Sequence, residues 1–115
     1  MKRVIIESPY AGNTQENLRY LRAALAHSLS LGEAPFASHA IYTQEGVLDD
    51  TKPEQRKQGI EAGFSWWEKA ELIVFYVDLG WSRGMEAAYT RAVGRLLPRE
   101  VRFLPGGWNS EKGHG

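Results

Sequence analysis

The 115-residue chain contains no cysteine, which excludes a disulfide framework, a thiolate metal site and a thiol nucleophile. No apolar run approaches the roughly 18 residues that would suggest a membrane span. The opening MKRVIIESPY has two basic residues but too short an apolar run for a secretory leader, and reads better as a first strand. Fourteen basic side chains balance fourteen acidic ones, so the basic excess of a nucleic-acid binder is missing. Three histidines without ligand spacing do not suggest a metal site, and no G-x-G-x-x-G dinucleotide fingerprint is present. These absences lead to the expectation of a cytoplasmic protein that uses neither metal nor cofactor and binds neither membrane nor nucleic acid.

What is present suits one domain. A 43% hydrophobic chain of this length can bury a core of its own. Val4, Ile5 and Ile6 centre a strand over Arg3–Glu7. Asn13 reads as an N-cap with Glu16 as its capping-box partner, and Leu18, Leu21, Leu25 and Leu29 give an amphipathic helix to about Leu31, ended by Gly32. Ala34–Ala40 reads as a second strand running into a loop, and Ile41–Thr51, without periodicity, as a long loop. Pro53 opens a helix to about Lys69 with Ile60, Phe64 and Trp67 on one face. Trp66 and Trp67 cannot both face inward. Leu72–Val77 is a short apolar run typical of a doubly covered strand. A helix from near Gly84 to before Pro98 and a strand over Val101–Leu104 follow.

This β-α-β-α-β-α-β alternation predicts an α/β fold: a small Rossmann-like or flavodoxin-like three-layer sandwich on a mainly parallel sheet of four or five strands. Residues 1–105 form the domain, and 106–115 a flexible tail that is loose beyond Trp108.

Ligands in open α/β sheets bind beyond the carboxyl ends of the strands. Topology therefore gathers Ser8, Tyr10, Gly12 and Asn13 after the first strand, His39, Tyr42, Asp49 and Asp50 after the second, and Asp78 and Ser82 after the third. Ser82-Arg83-Gly84, at a helix start, either holds an anion or simply caps the helix. Asp49 and Asp50 either raise one another's pKa for acid–base work or mark a solvated helix entry. Glu86, in the first turn after Gly84, is the leading carboxylate for chemistry.

The loop S-P-Y-x-G-N, the segment E-A-P-F-A-S-H-x-x-Y-T-Q-x-G-V-L-D-D and the segment Y-x-D-L-G-x-S-R-G-M resemble a group of small phage and bacterial proteins placed near the nucleoside 2-deoxyribosyltransferases. The resemblance covers roughly Met1–Leu104. It implies a pocket for a nucleotide or nucleoside in bacterial or phage-infected cytosol, N-glycosidic cleavage or deoxyribosyl transfer, and a homo-oligomer whose pockets neighbouring subunits complete. It also implies Glu86 as nucleophile, Asp49, Asp50 or Asp78 as acid or base, and ligand contacts from Ser82, Gly84 and Met85. Related helices read S-x-G-M-x-x-E, placing glutamate where this chain has Ala88. Glu86 stands two positions earlier, about 200° around the helix. A non-catalytic protein that sequesters a nucleotide-derived signal is the competing expectation.

Overall fold

The computed structural model describes residues 1–109. The strands are β1 (Lys2–Glu7), β2 (Glu33–Phe36), β3 (Leu72–Tyr76) and β4 (Arg99–Arg102). The helices are α1 (Thr14–Ser30), α2 (Ser38–Ile41), α3 (Pro53–Ser65), extended by a 3₁₀ turn at Trp66–Lys69, and α4 (Arg83–Gly94). All four strands are parallel, in the order β2-β1-β3-β4. This is the expected Rossmann-like architecture, with four strands rather than five.

Strand alternation divides the core. Val4, Ile6, Val74 and Tyr76 meet Tyr20, Leu21 and Ala24 of α1. Ile5, Ile73, Phe75 and Val77 meet Trp67, Met85, Ala88 and Ala92 on the opposite face. Trp67 is buried and Trp66 exposed, as two adjacent helical positions require. Trp108 packs edge-on against Tyr20, so the α1 face of the core draws on the segment after β4. The looseness expected beyond Trp108 concerns, after Asn109, residues outside those described.

Several boundaries differ from the sequence reading. The second strand ends at Phe36, and Ser38–Ile41 forms a helical turn instead of continuing it. The last strand lies two residues earlier than Val101–Leu104, because apolar character misses the charged Arg99 and Glu100 that begin it. Val77 belongs to the turn after β3. The buried stripe of α1 runs through Asn17, Tyr20, Leu21, Ala24 and Ser28, while Leu29 is exposed. Ile60 is likewise exposed, whereas Gly63, a further candidate for the inward face of α3, does lie on its inner side. Among the described residues no helix is long and apolar enough to cross a membrane.

One ion pair spans the whole sheet. Glu33 opens edge strand β2 and Arg102 closes the opposite edge strand β4, yet their side chains meet in two hydrogen bonds of 2.8 and 2.7 Å. They can meet because the strand twist curls these diagonal corners toward the α1 face. Ser28 donates to Glu33, and Arg102 also donates to Tyr76 and Glu100. Each side chain of the pair is only 11% exposed. Hydrogen bonds from Arg102 are the main cause holding the Glu33 carboxyl below its ordinary value.

Arg102→Met leaves a shielded carboxylate without its cation and should cost about 2–3 kcal/mol, less than a fully buried pair because water still reaches it. In urea denaturation Glu71→Gln, which breaks only the exposed Arg3 pair, should leave the midpoint nearly unchanged. The wild-type advantage over Arg102→Met should fade as pH falls below 4.5 and on through the lowered folded-state value of Glu33. Equal midpoints for Arg102→Met and wild type would remove the clamp.

Candidate functional site

The loop after β1 is shaped from within α1. Asn17, buried, donates to the carbonyls of Tyr10 and Ala11 at 2.8 and 3.1 Å. Gly12 takes φ 95, a left-handed conformation that favours glycine. Asn13 then caps α1, accepting from the Glu16 N–H at 3.2 Å. Asn13 thus serves the helix, while Tyr10 and Gly12 face a cleft.

The opposite wall is the segment from Thr43 to Thr51, which has turns but no regular element. It is set by close packing on α3. A Cβ on Gly63 would lie 2.5 Å from Ser38 Oγ and 2.8 Å from its Cβ, and one on Gly59 would press Leu48 at 3.3 Å. Two small residues one turn apart therefore let α2 and the following loop approach α3. Asp49 accepts from both the N–H and the hydroxyl of Thr51, at 3.0 and 2.6 Å. Asp50 pairs with Arg56 at 2.9 Å.

Between these walls lies an open cleft of about 800 Å³, lined by Tyr10–Gly12 and Thr14, by Thr43 and Glu45–Thr51, and by Gln55 and Arg56 of α3. A smaller hollow of about 70 Å³ adjoins it, reaching His39, Tyr42 and Gly59. The main cleft has three carboxylates, Glu45, Asp49 and Asp50, against the one guanidinium of Arg56. Among the described residues Glu45 has no side-chain partner.

Beneath the smaller hollow, Ser8 Oγ and His39 Nε2 share a hydrogen bond of 2.9 Å. Burial pushes the imidazole down to about 4, so His39 is neutral at physiological pH. Tyr10 stands edge-on to its ring, and Tyr42 accepts from the Trp66 indole at 2.8 Å. The first two loops thus bring Ser8, Tyr10, Gly12, His39, Tyr42, Asp49 and Asp50 together.

The third loop turns elsewhere. Asp78 accepts from the Tyr20 hydroxyl at 2.5 Å and from the Leu104 N–H at 2.9 Å, while its own N–H donates to Tyr20 at 2.8 Å. It binds β3, α1 and the chain after β4 to one another. Ser82 caps α4 by accepting from the Met85 N–H at 3.1 Å. Arg83 and Gly84 are exposed, Met85 is buried in the core, and none of Asp78, Ser82, Arg83, Gly84, Met85 or Glu86 lines the cleft. Glu86 is exposed, whereas Ala88, the position at which the resemblance would place a glutamate, is 2% exposed against the core. Asp49 is not raised by its neighbour: hydrogen bonds from Thr51 hold its carboxyl below its ordinary value.

Sequence reasoning overlooked Glu7. It ends β1 in register with Phe75, on the α4 side of the sheet, without a side-chain hydrogen bond to any described residue. Burial pushes its carboxyl up to about 8. A charged residue closing a buried apolar run was the available signal, the same one that singled out Asp78. Among the described residues no three of His, Asp and Glu gather closely enough to hold a metal ion.

Residues 2–102 match the family described as "Domain of unknown function (DUF7768)", and the chain belongs to that family. No curated protein matches it.

Glu7 gives the fold a signature in pH. The unfolded chain ionises it above 4.5 and the folded chain only near 8, so stability should be full below pH 4.5 and decline between these values. Glu7→Gln should flatten that decline and melt about 5 °C higher than wild type at pH 8.5, with little difference at pH 4.5. Melting curves that fall in parallel across this range would rule out a half-buried Glu7 held protonated by its surroundings.

Proposed function

We propose that this domain binds a nucleoside-type small molecule in the cleft between Tyr10–Thr14 and Thr43–Arg56, and holds it without cleaving it. The observation that carries this reading is the cleft itself. It lies beyond the carboxyl end of β1, its volume of about 800 Å³ suits a small organic ligand, and Tyr10 offers a ring against which a base can stack.

Electrostatics refine the ligand. Three carboxylates and one arginine, itself paired, make the cleft a poor host for phosphate and a good one for sugar hydroxyls and ring amino groups. The uncharged nucleoside, or a derivative whose phosphate stays in solvent, is therefore favoured over a fully enclosed nucleotide. Retention without cleavage is favoured because the exposed Glu86 is not part of the cleft and Ala88 faces the core. That arrangement fits sequestration better than glycosyl transfer through a helix-borne carboxylate.

Calorimetry against nucleosides and their 5′-monophosphates tests this. Nucleosides should bind more tightly than monophosphates, Tyr10→Ala should weaken them at least about tenfold, a loss of roughly 1.4 kcal/mol, and the recovered ligand should be intact. Absence of nucleoside binding would overturn the reading. Release of free base would move it to catalysis and put Glu45, the cleft carboxylate without a described partner, ahead of Glu86.

A further inference from the structure

Strand β4 forms one margin of the sheet. The carbonyls of Pro98 and Arg102 accept from Ile73 of β3 and from Val77 just after it, so even-numbered residues of β4 turn their backbone groups inward. By the alternation of a parallel ladder, Arg99, Val101 and Phe103 present theirs at the open edge, where no described strand meets them.

The side chains there are apolar and uncovered. Val101 is in register with Phe75 and so stands on the α4 face, yet it is 45% exposed, and Phe103 is 64% exposed. The turn from α4 into β4 adds Leu96, 87% exposed and held at φ 55, a left-handed backbone that a bulky residue rarely adopts. A large apolar side chain kept in water on a strained turn needs an explanation beyond the folding of one chain.

We propose that a second copy of this chain docks on β4, antiparallel, with the two-fold axis at Val101, giving a continuous eight-stranded sheet. Charge selects this register. With Val101 opposite Val101 of the partner subunit, Glu100, which already accepts from Arg102 of its own chain, also comes beside the partner's Arg102, and Arg99 faces the partner's Phe103, where a guanidinium can lie over the ring. A shift by two in one direction sets Glu100 against the partner's Glu100, and in the other Arg102 against the partner's Arg102. Shifts by one bring outward backbone groups opposite inward ones and break the ladder. Only the centred register joins unlike charges, backbone donors and acceptors, and the apolar side chains at once, as an isologous contact demands.

Sedimentation at tens of micromolar should give twice the 13.0 kDa of one chain, and a monomer overturns the proposal. Val101→Pro removes an outward N–H but no bond to β3, so it should raise the dimer dissociation constant at least tenfold with an unchanged circular dichroism spectrum. Glu100→Lys should do the same by opposing Arg102. Dimers that persist unweakened in both variants overturn the proposal. As the chain has no cysteine, Val101→Cys introduces a unique thiol near the axis. A short homobifunctional maleimide should link it into dimers at least tenfold faster than it links Gln15→Cys, an exposed position on α1. Equal rates would mean random collision and overturn the proposed register, whatever becomes of the folding of the other variants.

Discussion

Twist, secured by the Glu33–Arg102 ion pair, is the constraint on which the rest of the sheet depends. A parallel sheet of four short strands has little to fix its curvature, since its backbone ladder tolerates a range of interstrand rotation. Here a carboxylate at one corner and a guanidinium at the diagonal corner can meet only within a narrow part of that range. Tyr76 and Ser28 satisfy further polar atoms of the pair, which lets it sit largely out of water without unmet hydrogen bonds. The curvature so fixed makes a trough in which α1 lies, with Tyr20 and Leu21 against Val4, Ile6, Val74 and Tyr76.

The same economy governs the carboxyl edge. Asp78 lies in the turn after the central strand β3, where open α/β sheets often bind ligands, but its contacts to Tyr20 and Leu104 commit it to holding three segments together. Ser82 is committed to a helix cap. With the third loop occupied by the fold, the open space lies to the other side, over β1 and the entry to α3. Its boundary is a segment without regular structure, positioned by close packing against two glycines of α3. The open cleft is thus walled by the part of the chain least constrained by the sheet.

The architecture was legible because buried parallel strands and amphipathic helices write themselves as local patterns. Val4–Ile6 and Leu72–Tyr76 are apolar since both faces are covered, and Asn13, Gly32 and Pro53 sit at helix ends for reasons local to the backbone. The boundary of β4 was not legible, because an edge strand with charged residues lacks that pattern. The phase of α1 was misread for a related cause: Tyr20, Ala24 and Ser28 fill the trough while a leucine periodicity pointed to Leu29. At the site, sequence placed the first two loops correctly at one edge. It could not foresee that Asp78 would turn toward Tyr20, fifty-eight residues away in sequence, or that Gly63 would admit Ser38. Those are long-range contacts, and no local spacing encodes them.

Edge strand β2 holds Pro35, in register with Val4. A proline has no N–H to offer and stiffens a strand of only four residues. The two margins of the sheet are therefore unequal: one lacks a donor, and the other keeps its full complement. Addition of a strand is thereby disfavoured at β2 relative to β4, and the pairing proposed at β4 favours a closed pair over a fibre.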